Sequence, residues 1–329
     1  MALPEVPTGE VFQVRDPAAV SNYRVDSGRV RSAVNRLVMA VTHTSSPAEA
    51  WRSLVKPSDR VGLKVSAAGR ELFSTHPAIV NAVVAGLNEA GVPSSQIVVW
   101  DRDANDLRAA GFVERAGSYR VRAPYPGKGY SKKNVYASMV LGKLIWGDLD
   151  FSRRKSFLEL SPNEKMNDNL SSSSHFATVL TNDVTKVVNL PVMSAHASCG
   201  LAGALYNMTI PNVDNWRRFT TAFGEADPAI AEIYSDPVVS NKVVLNIMDG
   251  LRAQFAGGPE AQPNYQVEFG TIYASKDPVA LDTVALKKID QWRSMAKMRA
   301  AALDATYLRT AREYGLGNAG GSVVPRTAP

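Results

Sequence analysis

Apolar positions change their spacing along this chain. Between residues 30 and 41 they recur every three to four residues, with Val34, Leu37, Val38 and Val41 on one face, which predicts an amphipathic helix. Ser46 followed by Pro47 supplies a cap and a first-turn residue, so a second helix is predicted over 47–54. From residue 60 onward the apolar residues gather in short β-branched runs separated by helical stretches. Runs at 60–65 and 96–100 flank a helix at 77–89, and a shorter helix at 104–110 stops at Gly111. Further strands are predicted at 186–190, 242–247 and 267–273, with helices near 200–208 and 230–234 and a long one from 279 to about 299. Such alternation predicts an α/β fold with a mostly parallel sheet flanked by helices, because crossover helices cover both faces of a parallel sheet. Residues 118–175, rich in Ser, Lys, Asn, Gly and Tyr, interrupt it with only short candidate strands at 119–121 and 156–160, and read as an irregular or small antiparallel insertion. Residues 1–30 read as an extended arm, 31–317 as a single α/β domain and 318–329 as a loose tail.

Composition leaves this picture in place and narrows the chemistry. With 45% hydrophobic and 21% charged residues in 329, the chain has the make-up of an ordinary globular protein able to bury a large core. The formal charge of +6 invites a nucleic-acid reading, but Lys and Arg are scattered rather than gathered in a stripe, so no nucleic-acid partner is expected. No apolar run approaches the roughly 20 residues that span a bilayer, so no membrane span is expected. The one cysteine, Cys199, is too few for an intrachain disulfide or an iron–sulfur cluster and reads as a buried small hydrophobe. The chain opens Met-Ala-Leu-Pro without a basic and apolar leader, as a cytoplasmic protein would or an exported one whose leader has been removed.

Open parallel sheets bind ligands beyond the carboxyl ends of their strands, where loops and helix N-termini converge. That rule gathers Ser66 and Ser74-Thr75-His76 after the first strand, and Asp101 to Asp103 after the second. Ser194-Ala195-His196 follows the strand at 186–190, and Asp249 and Arg252 follow the one at 242–247. Pro77 suits the first turn of a helix, which puts Thr75 and His76 where exposed N–H groups favour an anion, although a plain cap explains them equally. His196, between an apolar strand and Gly200, is the candidate general base or ligand. Asp101 and Asp249 are candidate ligands or orienters, and Asn207 is a candidate hydrogen-bond donor. Asn212 and Asn215 offer further amides in the polar stretch 191–218. His76, His196, Asp101 and Asp249 have the residue types of a mixed nitrogen and carboxylate site for a divalent metal, without ligand-spaced pairing. Neither a G-x-G-x-x-G dinucleotide fingerprint nor a Walker motif occurs.

Several of these residues fall in one order with Val61-Gly62-Leu63-Lys64-Val65, Leu205-Tyr206-Asn207, Met248-Asp249-Gly250-Leu251 and Ala274-Ser275-Lys276-Asp277-Pro278-Val279-Ala280-Leu281-Asp282. Together they resemble the DUF362 family over roughly residues 35–317, most specifically through the Asp-Pro-Val-Ala-Leu-Asp run. The resemblance implies two crevice lysines, and this chain carries Ser194 and Tyr206 at those positions, which speaks against an anionic substrate. Many relatives carry iron–sulfur modules, which a single cysteine does not support. The arm and the Ala48-Glu49-Ala50-Trp51 segment resemble a subset, free of iron–sulfur clusters, exported to the periplasm with a cofactor in place. The expectation is an enzyme, metal- or redox-cofactor-assisted and so an oxidoreductase candidate, acting on a small polar molecule held by Ser66, Thr75, His76, Ser194, Tyr206, Asn212 and Arg252. The alternative is a protein that binds a ligand or cofactor without turning it over.

Overall fold

A computed structural model describes residues 9–125, 127–151, 170–220, 226–318 and 323–329. The expected arm is not merely laid over the domain: it contributes strand β1 (Phe12–Arg15) and a small hairpin, β2 (Val20–Ser21) with β3 (Arg24–Val25). Helix α1 (Ser27–Thr42) begins before the periodic stretch because Asp26 accepts from the backbone N–H groups of Gly28 and Arg29. Helix α2 (Pro47–Leu54) is capped by Ser46, and β4 (Val61–Val65), α3 (Pro77–Glu89), β5 (Ile97–Trp100) and α4 (Ala104–Ala109) match the expected alternation.

The expected insertion divides. Its first strand, β6 (Arg120–Arg122), pairs in parallel with β5 and belongs to the central sheet. β7 (Tyr130–Lys143) and β8 (Leu170–Ala177) form a separate antiparallel pair, and the strand expected at 156–160 lies outside the described residues. Next come β9 (Lys186–Leu190), β10 (Val192–His196), β11 (Gly200–Leu201), α5 (Ala204–Met208), α6 (Ala229–Ser235) and α7 (Pro237–Ser240). β12 (Val243–Gln254) runs well past its expected end, β13 (Gln266–Ser275) pairs antiparallel to it, and α8 (Pro278–Met295) and α9 (Tyr307–Glu313) follow. Residues 323–329 of the expected loose tail are tied down: β14 (Arg326–Thr327) pairs with β1, and the Arg36 guanidinium donates to the carbonyls of Ala328 and Pro329.

The central sheet has the order β14-β1-β13-β12-β9-β4-β5-β6, with β10 also beside β12. Pairing is parallel from β12 through β9, β4 and β5 to β6, so the architecture is a mixed α/β fold with a mostly parallel sheet flanked by helices and small antiparallel sheets. Alternation along the strands divides the core. Leu63, Val99, Val188 and Ile247 pack with residues of α1, α2 and α3 in one layer. Val98, Trp100, Val187 and Met248 pack with residues of α5, α6, α8 and α9 in the other. Among the described residues no helix is long and apolar enough to cross a membrane.

Candidate functional site

The second layer carries an unexpected row of polar side chains. Lys64 stands opposite Asn189 in the sheet register, Asn189 opposite Asn246, and Asn246 opposite Ser275, and all four are fully buried. Buried polar groups must find partners. The Asn189 amide donates to Asn246 Oδ1 and the Ala204 carbonyl, and Asn207, brought in by α5, donates to Asn189 Oδ1 and to the Lys64 carbonyl. Lys64 spends all three ammonium N–H groups, on Asp101 Oδ1 at 2.7 Å, the Val65 carbonyl at 2.8 Å and Asn207 Oδ1 at 3.1 Å. Burial lowers its pKa, and the charge and hydrogen bond of Asp101 only partly oppose this. Asp101 also accepts from the N–H groups of Ala67 and Arg102.

Against this saturated floor lies a cavity of about 430 Å³ lined by, among others, Ser66, Asp101, Arg102, His196, Tyr206, Asn207, Trp216 and Glu260. Burial pulls the His196 imidazole down to about 4, so the ring is neutral at ordinary pH. Its Nδ1 faces the backbone N–H groups of Ser198 and Cys199 at 3.2 and 3.3 Å, which makes Nδ1 the acceptor and places the ring proton on Nε2. The ring packs on Tyr206 with centroids 4.8 Å apart, and burial pushes the Tyr206 phenol up, so both groups meet a ligand uncharged. The Arg102 guanidinium lies 3.8 Å from the centroid of Trp216, a cation–π contact at the cavity wall.

Helix α5, which carries Tyr206 and Asn207, is too short to hold itself in place. Asp282 of α8 accepts from the Ala204 and Leu205 N–H groups at 2.5 and 3.0 Å and caps it from outside. Burial drives the Asp282 carboxyl up to about 7 against the pull of those two bonds. Gly203 is required for this approach, since a Cβ there would stand 2.6 Å from the Asp282 carboxyl carbon. Asp277, at the other end of the same Asp-Pro-Val-Ala-Leu-Asp run, caps α8 itself and accepts from the N–H of Asn318. The run thus serves the site by placing α5.

The structure brings together Ser66, Asp101, His196, Tyr206 and Asn207 among the expected site residues, and sets the others apart. Asn207 lines the cavity, but both its N–H groups are already donated within the protein. His76 pairs with Asp249 at 2.7 Å through Nδ1, and its own N–H reaches the same carboxylate oxygen. Asp249 and Arg252 do not follow their strand but lie within β12. Thr75 donates to the Leu190 carbonyl, Ser194 to that of Ala195, and Asn212 accepts from the Trp100 indole. Arg252 stacks on Tyr23 and donates to Gln266 in a separate groove. Of the four expected metal ligands, His76 is paired with Asp249, Asp101 is paired with Lys64 and His196 faces the cavity, and among the described residues no three or more His, Cys, Asp or Glu side chains converge for a metal. The Cys199 thiol is buried, bonded to the Leu201 carbonyl and raised in pKa by burial, unlike a nucleophile. His175 is buried against Asp214. Sequence reasoning passed over Lys64, Trp216, Glu260 and Asp282. A lysine inside the apolar run Val-Gly-Leu-Lys-Val was the available signal for the first, since a charge in a strand covered on both faces needs a partner.

Fold and cavity together define a mixed α/β protein with a cavity at the carboxyl ends of its parallel strands. The model of DUF362, a domain of unknown function, matches residues 61–287, more than half of the chain, and the chain belongs to that family. A crystal structure of a Thermotoga maritima protein from a structural genomics consortium is similar at a TM-score of 0.40 and 11% identity, over 83% of this chain and 60% of that one. This chain therefore spans less than two thirds of that protein's length. No curated protein matches it.

Proposed function

We propose that the chain binds a small polar organic molecule in the strand-end cavity, with the Nε2–H of His196 as the central donor. The observation that carries this is the contrast between floor and wall. Lys64 and Asn207 have spent every polar hydrogen. His196 Nε2 and the hydroxyls of Ser66 and Tyr206, by contrast, have no protein partner among the described residues and line the cavity. Unspent donors beside a preorganised floor suit ligand recognition. An enzymatic reading is favoured by the neutral state of His196, because an uncharged N–H held against a ligand oxygen polarises a carbonyl without first losing a proton. His76 is taken up by Asp249 and Asp101 by Lys64, so no metal is assigned to the cavity. A stoichiometric divalent ion on elemental analysis would reinstate one. Placement among the exported relatives that lack iron–sulfur clusters is part of the same proposal, rests on sequence resemblance alone, and is tested by fractionating the source cells.

The test is saturation-transfer NMR with a mixture of small carboxylates, sugar phosphates, amino acids and sugars, following the mixture over time for turnover. Binding is expected in the wild type and to weaken about tenfold or more in His196→Asn and Tyr206→Phe. Unchanged affinity in both variants would sink the cavity assignment. New product resonances that disappear with His196→Asn would establish the enzymatic reading.

A further inference from the structure

We infer that the cavity's ligand is a small organic anion whose carboxylate or phosphate rests on the Arg102 guanidinium. This deepens the small-molecule reading and rests on it.

Charge in the cavity wall is largely spoken for. Asp101 is paired with Lys64, and Asp106 with Arg70 at 2.8 Å. Asp103 accepts from the first free N–H groups of α4. Arg102 differs: among the described residues no carboxylate lies within ion-pair distance of it, although it is half-buried. A partly desolvated cation without a counter-ion is costly, and a ligand anion relieves that cost. The Trp216 ring covers one face of the guanidinium, and contact with a face does not use the N–H groups, which point along the guanidinium edge and suit two parallel hydrogen bonds to an oxyanion. Arg217 sits 4.6 Å from the centroid of the same indole, so a second positive group reinforces the potential there.

The remaining unspent groups agree. His196 offers an Nε2–H, and Ser66 and Tyr206 offer hydroxyls that can donate, so these three groups fit an acceptor-rich molecule. Glu260 is the opposing element: it lines the cavity, and no basic side chain pairs with it among the described residues. It would repel a multiply charged anion and so selects for a ligand of low net charge. The two lysines expected from the family are thus not needed for an anion, because the cation comes from the strand end after β5.

The experiment measures affinity by calorimetry for matched pairs, succinate with succinamide and glucose 6-phosphate with glucose, on wild type, Arg102→Ala, Arg102→Lys and Glu260→Gln. At least one anion is expected to bind about tenfold or more tightly than its neutral partner. That preference should vanish in Arg102→Ala, shrink in Arg102→Lys, which keeps the charge but not the fork, and grow for the doubly charged members in Glu260→Gln. The pair that shows the preference tells carboxylate from phosphate. Equal binding of charged and neutral partners, or a preference that survives Arg102→Ala, overturns the anion assignment and leaves the small-molecule reading standing. No binding by any of the four probes overturns the anion assignment, while the small-molecule reading stands or falls with the NMR mixture. Arg102→Lys preserves the test should Arg102→Ala lose its native circular dichroism.

Discussion

An ammonium group with all three N–H bonds committed inside the protein has nothing left for a ligand, so Lys64 acts on the cavity by holding Asp101 and Asn207 in place. Lys64→Met removes the cation and leaves the Asp101 carboxylate buried without its partner. Urea unfolding should show a loss of about 3–5 kcal/mol, and the double variant Lys64→Met with Asp101→Asn should recover part of it, because a neutral pair avoids the uncompensated charge. A double variant no more stable than the single would mean that Asp101 is not the group Lys64 neutralises. The same residue shows what the sequence could reveal of the site. His196 and Asp101 were legible because each follows an apolar run at a strand end, where side chains face a crevice. That Asn207 turns its N–H groups inward, or that His76 is taken by Asp249 from another strand, depends on register between segments more than a hundred residues apart, and no local pattern encodes it.

Helix α5 carries two cavity residues but spans only Ala204–Met208, so its position is set by what meets its first turn. Gly203→Ala places a methyl group against the Asp282 carboxyl, which must then withdraw from the Ala204 and Leu205 N–H groups. The expected result is a loss of about 1–3 kcal/mol, with weaker binding of whichever probe the wild type takes, because Tyr206 moves with the helix. Full stability and affinity in Gly203→Ala would show that the cap does not position α5. Elements of this length also mark the limit of sequence reading. The helices at 77–89 and 47–54 were legible to the residue from their periodicity and caps. β14, with two residues, carries no period; β6 was legible as the candidate strand at 119–121 but not as a member of the central sheet, and the place of β1 beside β13 depends on a partner near the other end of the chain. The antiparallel turn from β12 to β13 escaped for a related reason: both strands have the apolar content of parallel ones, and direction is not written in a single strand.

At the scale of the whole molecule, buried ionisable groups pull stability in opposite directions with pH, and the near-cancellation is itself testable. The Asp282 carboxyl is raised to about 7, so its contribution is fully present below pH about 4, the unfolded value, and is lost as pH rises toward 7. His196 is lowered to about 4, so its contribution is present above pH about 6.5 and is lost as pH falls toward 4. At His76 burial alone would lower the pKa, but the charge and hydrogen bond of Asp249 outweigh it and the pKa is raised. Its contribution is therefore present below about 6.5 and lost above. Between pH 4 and 6.5 the Asp282 and His196 slopes oppose one another, each amounting to about 3 kcal/mol, so their combined contribution should be nearly flat there. Asp282→Asn, which mimics the protonated acid, should unmask the histidine and make stability rise with pH over that window. His196→Asn, whose amide oxygen can still accept from Ser198 and Cys199, should do the reverse and make it fall. Asp148 and Asp277, also raised by burial, bend the profile in the direction of Asp282 but are common to both variants, so the difference between the two curves isolates the pair. Urea unfolding at several pH values across this range supplies those curves. If the two variants track each other, the burial of Asp282 and His196 does not govern their protonation, and the neutral Nε2–H donor on which the cavity reading depends loses its physical basis.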